Sequence, residues 1–153
     1  TYAAGKGYDV LTTINPGEGF WVNSSAEQVV ELRSDTTQVP AAFTSSNLAI
    51  GGPNELQAGS WNLMAIGDKK TPAQFNTSIN PLAAPPSAGS STIAENLTTL
   101  WAWDAPSAKW YFYAPRLQNT SSTALESYIA SKNYLGFGTM QLSPSTGFWV
   151  NVP

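Results

Sequence analysis

Leu100-Trp-Ala-Trp-Asp-Ala-Pro-Ser-Ala-Lys-Trp-Tyr-Phe-Tyr113 is the stretch that decides the fold. Two runs of aromatic and aliphatic residues flank Ala105-Pro-Ser-Ala108, and Pro beside a small hydroxyl residue is turn chemistry. With those four residues as the loop, Asp104 faces Lys109, Trp103 faces Trp110 and Trp101 faces Phe112 across an antiparallel pair. Four rings then share one sheet face, while Leu100, Ala102, Tyr111 and Tyr113 share the other. Both faces are apolar, which favours a strand pair buried on both sides. The competing reading is an open platform on which sugar rings stack their C–H faces, using Trp101, Trp103, Trp110 and Tyr111. The core reading is preferred because Trp is mostly buried on average. Yet six Trp in one small domain exceed what a core requires, so an exposed ring is expected.

Outward from this hairpin lies a phrase written twice. Ile14-Asn-Pro-Gly-Glu-Gly-Phe-Trp-Val-Asn23 returns as Leu142-Ser-Pro-Ser-Thr-Gly-Phe-Trp-Val-Asn151. Each copy follows a Tyr-flanked segment, Tyr2–Tyr8 and Tyr128–Tyr134. The matching glycines, Gly19 and Gly147, stand about one domain length apart, too far for a solenoid repeat. The chain therefore reads as the tail of one module followed by a whole one, or as a single domain carrying one hairpin twice. Alternation sends Phe and Val to one side of the strand and Trp and Asn to the other. Phe20, Trp21, Phe148 and Trp149 are accordingly assigned to packing or assembly, with Asn23 and Asn151 at the strand ends.

Further strands are expected at Tyr8–Ile14, Gln28–Arg33 and Ser60–Ile66. Thr71-Pro72 is a cap followed by Pro at the first helical position, so a short helix carrying Phe75 and Ile79 is expected. Leu125, Tyr128 and Ile129 recur at helical spacing behind the hydroxyls of Ser121–Thr123, predicting an amphipathic helix over Ser122–Lys132. Asp35–Gly59 and Asn80–Thr92 read as loops rich in Pro and Gly, with a single helical turn at Pro40. The fold class is mainly β, antiparallel and sandwich- or barrel-like, with one short amphipathic helix and long loops. Residues 1–33 form a tail hairpin, 34–58 a wrapping linker and 59–153 the main module, together one compact domain.

Ser60-Trp-Asn-Leu, Leu100-Trp-Ala-Trp-Asp, Lys109-Trp-Tyr-Phe-Tyr and Gly147-Phe-Trp-Val-Asn151 follow one another in order. This series resembles a β-rich module found, often in tandem, in large secreted and surface proteins of bacteria. Its outline is GWNL, then WxW, WxxY and PGxGFWV. The resemblance covers Gly59–Pro153 as one unit and Tyr2 to about Arg33 as the end of a preceding one. Ser60 departs from the outline by separating Gly59 from Trp61. The resemblance implies an architecture and a setting, and no site.

Composition narrows the function classes. Of 153 residues 42% are hydrophobic, a globular value, whereas only 11% are charged against roughly 25% in ordinary soluble domains. Surface polarity must come from hydroxyls and amides, a habit of exported proteins. The net charge of −3 and scattered basic residues exclude a nucleic-acid partner of the usual kind. The chain has no Cys and no His, which removes disulfides, thiol catalysis and every Ser–His mechanism. No apolar run approaches the ~20 residues of a membrane span, so no membrane insertion is expected, and an exported chain would be a mature or excised piece.

No carboxylate pair is marked for acid–base work. Glu18, Asp68, Asp104 and Glu126 all have ordinary surface readings, so neither an enzyme nor a cofactor or metal is expected. Asn23, Asn76, Asn96 and Asn119 begin glycosylation sequons, which arise easily by chance in a Ser- and Thr-rich chain. The expected function is a non-catalytic structural or adhesive module of a bacterial extracellular or cell-surface protein. It would assemble head-to-tail with copies of itself by strand complementation, should Gly147–Val152 form an open edge. The alternative is a polysaccharide-binding module using exposed Trp.

Overall fold

The computed structural model describes residues 5–7, 12, 20, 26, 56–79, 92–121, 123–143 and 146–153. The expected strands at Tyr8–Ile14 and Gln28–Arg33, the first Phe-Trp-Val-Asn copy apart from Phe20, and the turn at Pro40 lie outside these residues. Most of the expected loop 80–92 does so too.

The architecture is mainly β. Strands β1 (Trp61–Met64), β2 (Thr99–Asp104), β3 (Lys109–Tyr113), β4 (Leu135–Gly136) and β5 (Phe148–Asn151) form one mixed sheet in the order β1-β5-β2-β3-β4. Only the β3–β4 pair is parallel. The β2–β3 register is the expected one, from Asp104 opposite Lys109 to Leu100 opposite Tyr113. Asp104 closes the turn, accepting from the backbone N–H of Ser107 at 3.1 Å and from its hydroxyl.

One sheet face makes the core. Met64, Leu100, Ala102, Tyr113, Phe148 and Val150 are all buried there, and Phe75 meets Phe148 edge-on at 5.2 Å. Phe148 alternates with half-buried Trp149 as the repeat predicts, whereas Phe20 in the first copy is only half-buried. Burial of each such side chain contributes about 1.5–3 kcal/mol.

Strand β5 is not an edge. It pairs with β1 on one side and β2 on the other, so the opening assumed at Gly147–Val152 does not exist. The edges among the described residues are β1 and β4. Sheet order is a non-local property, which is why the strand's sequence could not reveal its place.

Helix α1 (Pro72–Ser78) forms where expected, with a reciprocal cap. The Gln74 N–H donates to Thr71 Oγ1 at 3.2 Å, and the Thr71 N–H donates to Gln74 Oε1 at 2.9 Å. A second helix, α2 (Pro115–Thr120), was not expected. Its N-cap is Ala114, which offers no capping side chain, so Pro115 at the first helical position was the sole sequence signal. Helix α3 (Ala124–Ser131) is shorter than expected, and the hydroxyl cap is not made: Thr123 is itself helical and its side chain caps nothing. No described helix is long and apolar enough to cross a membrane.

Two sequon asparagines are structural. Asn76 and Asn96 are 0% and 4% exposed. Asn76 Oδ1 accepts from the N–H groups of Asn96 and Leu97 at 3.1 and 3.2 Å, and its Nδ2 donates to the Ala94 carbonyl. Asn96 Nδ2 returns a bond to the Asn76 carbonyl at 2.8 Å. This buried network locks α1 to the segment that leads into β2. Asn119 serves α2 in the same way, accepting from the Ile93 N–H and donating to its carbonyl, both at 2.8 Å. Asn23 lies outside the described residues.

Candidate functional site: a tryptophan face

The pleat that sends Leu100 and Ala102 into the core sends Trp101 and Trp103 to the opposite side. The pairings extend this rule across the sheet. Trp149 stands opposite Trp101 on β2 and Leu63 on β1, Trp110 stands opposite Trp103, and Trp61 stands opposite Asn151. Trp61, Trp101, Trp103, Trp110 and Trp149 thus share one face. They step diagonally over four strands, from the start of β1 through β5 and β2 to the turn end of β3.

This face is not a second core. Trp61 is 53% and Trp103 37% exposed, while Trp101, Trp110 and Trp149 are half-buried. The preferred expectation, a hairpin buried on both sides, is therefore corrected on the tryptophan side. The physical reason is the cover: α3 is short and reaches only one end of the sheet. Its Tyr128 packs on Phe112 at 5.0 Å, and Ile129 Cδ1 lies 3.7 Å from where a Cβ on Gly136 would stand. Among the described residues, nothing covers the face toward β1.

The end of α3 supplies a further wall. The Asn133 N–H donates to the Ala130 carbonyl at 3.2 Å, and the Tyr134 N–H donates to the Ile129 carbonyl at 3.1 Å. Asn133 takes the left-handed conformation this ending requires, at φ 57°. Lys109 Nζ tethers it with a 2.8 Å bond to Asn133 Oδ1. Together these bonds turn the chain so that the Tyr134 ring stands at 81° to Trp101, centroids 5.1 Å apart.

Trp61, Trp101, Trp110, Tyr134 and Trp149 line an open concavity of about 510 Å³. Trp101 is its fixed floor. The indole N–H donates to Thr99 Oγ1 at 3.0 Å, and the ring meets Phe112 at 4.6 Å and Trp110 at 6.3 Å, both edge-on. Trp103 stands beside Trp110 on the neighbouring strand, with centroids 5.0 Å apart.

Trp101, Trp103 and Trp110 were named from the sequence as ligand-stacking candidates, and they lie together on this face. Tyr111 does not join them: it projects to the core side, where it packs on Phe137 at 5.2 Å. Trp149, read from sequence as packing or assembly, lines the concavity. Trp61 and Tyr134 were missed. Alternation along Trp61–Met64 could have put Trp61 on a face, but only the sheet order says which one. Trp21 lies outside the described residues.

Acid–base and metal chemistry find no constellation among the described residues. Asp68 pairs with Lys70 at 3.4 Å, Glu95 accepts from Asn119 at 3.0 Å, and Asp104 is engaged in its turn. No group of three or more Asp or Glu could hold a metal ion among these residues. Glu18 lies outside them. What the tryptophan face offers is aromatic surface whose neighbouring rings stand edge-on to one another. No family model, curated protein or solved structure matches the chain.

Proposed function

We propose that this chain is a non-catalytic adhesive module of an exported bacterial protein and that it holds carbohydrate on its tryptophan face. The observation that supports this most is the diagonal of five Trp on the face opposite the buried core. Large aromatic rings left half-covered cost solvation free energy unless something else covers them. Indole faces carry partial negative charge and suit the weakly positive C–H groups of a sugar ring. The mutual edge-on contacts hold the rings in place before a ligand arrives, which lowers the entropy cost of binding.

Intrinsic Trp fluorescence during titration with a broad panel of polysaccharides tests this. Shifted emission with saturation is the expected result. Silence across the panel removes the proposal.

Self-assembly is a second reading, and it now rests on β1. This strand is an edge among the described residues and carries the most exposed Trp, so a partner strand would add there. Deleting residues 1–26 tests it. An unchanged oligomeric state in the truncated chain would reject complementation by that segment.

A further inference from the structure

The tryptophan face restricts which carbohydrate it can take, and this inference rests on the carbohydrate reading above. We infer that the ligand is a neutral, linear polysaccharide built of pyranose units with equatorial hydroxyls. It lies extended along the diagonal, with Trp61 and Trp110 as the outer platforms.

Charge is the first restriction. The residues that the strand register places on this face are aromatic, Leu63, Thr99, Asn151 and Gly136, none of them charged, and Lys109, which reaches the Tyr134 wall, is engaged by Asn133 Oδ1. An acidic polymer would need Lys or Arg to replace its counterions, and the chain carries a net charge of −3. A neutral ligand meets no such penalty.

Ring shape is the second restriction. A pyranose with equatorial hydroxyls presents axial C–H groups on both faces and sends its polar groups outward to water. An axial hydroxyl would instead press into indole carbon. Burying it without a partner costs about 1–3 kcal/mol. Thr99 and Asn151 lie together at the β1 end, so the penalty falls over Trp103 and Trp110, where the register places only rings on this face.

Size is the third restriction. From Trp61 on β1 to Trp110 on β3 the path crosses three strand spacings and climbs four residues, about 20 Å by standard sheet dimensions. That length, with a concavity of about 510 Å³, exceeds a single sugar and suits a run of several. Among the described residues the end toward β1 is open, which lets a longer chain continue past Trp61.

Isothermal titration with cello-oligosaccharides of two to six units tests the inference, beside mannohexaose, whose 2-hydroxyls are axial, and oligogalacturonate. Cellohexaose should bind about tenfold or more tighter than cellobiose, and tighter than both other oligomers. Trp61→Ala, on an exposed ring, should weaken cellohexaose by about tenfold and cellobiose far less. Tyr111→Phe, on the opposite face, should leave binding unchanged. Circular dichroism of each variant separates a lost platform from a lost fold. Equal or tighter binding of mannohexaose or oligogalacturonate, or affinity independent of length, overturns this inference and leaves the carbohydrate reading standing. Silence from every oligomer, together with silence across the polysaccharide panel, overturns both.

Discussion

Tyr134 stands edge-on to Trp101 across a 5.1 Å centroid gap, although one residue follows a helix and the other sits in mid-sheet. The contact exists because α3 ends in a left-handed turn at Asn133 that aims the next residue back at the strands. Tyr134→Ala should therefore cost about 0.5–1.5 kcal/mol beyond its lost buried area. It should also loosen the Trp101 ring. Urea denaturation measures the first effect, and acrylamide quenching of Trp emission measures the second as an increase.

Asn76 should be the most sensitive polar position among the described residues. Asn76→Ala strips two backbone N–H groups and one carbonyl of their partner in a buried site, a loss of about 3 kcal/mol or more. Asn96→Ala removes fewer bonds and should cost less. Denaturation midpoints of the two variants check the order. The same burial predicts that a folded chain exposed to an N-glycosylating system carries no glycan at Asn76 or Asn96, which intact-mass measurement reads directly.

Tyr113 gives the fold a weakness at alkaline pH. Its hydroxyl is buried with no hydrogen-bond partner among the described residues, and burial pushes its pKa well above the ordinary tyrosine value of about 10. Above that pH the unfolded chain releases the phenolic proton while the folded chain keeps it. Stability from this group is thus fully present below about pH 10 and is lost as pH rises toward the raised folded value. Tyr113→Phe should flatten that part of the stability profile. It should also raise stability near neutrality by about 1 kcal/mol, since no hydrogen bond is lost. Thermal melts between pH 7 and 11 test both statements.

Ala108 holds φ 51° at the end of the β2–β3 turn, where a Cβ is strained. Ala108→Gly should relieve that strain and stabilise the hairpin by up to about 1 kcal/mol. A rise of a few degrees in Tm, with the tryptophan face unaltered in near-ultraviolet circular dichroism, is the expected result.

Local chemistry was readable in the chain and the sheet's order was not. The hairpin register followed from a turn and a period of two, which fixed the faces of Trp101, Trp103 and Trp110. The capped helix at Pro72 followed from Thr71 and Pro72, while the Gln74 half of the cap was not read. What escaped were features set by distant partners: β5 lying between β1 and β2, Trp61 and Trp149 joining the tryptophan face, and Tyr134 arriving from a helix end. The helix at Pro115 escaped because Ala114 gives no capping signal. Apolar composition on both faces of the hairpin suggested burial on both. The deciding quantity was the length of α3, too short to cover what it lies on.

The position of β5 also sets the order in which the sheet can be made. β2 and β3 are joined by a four-residue turn and can pair by themselves, whereas among the described residues β1 meets the sheet through β5, about 90 residues further along the chain. Closing so long a loop is slow, and pairings of this kind dominate the folding barrier of β proteins. Until β5 slots in, the strands that carry Leu100 and Met64 present unpaired edges on the sides it will occupy. The repeated phrase is thus a keystone in time as well as in place: substitutions in β5 should slow folding, and those in α3 should mainly hasten unfolding.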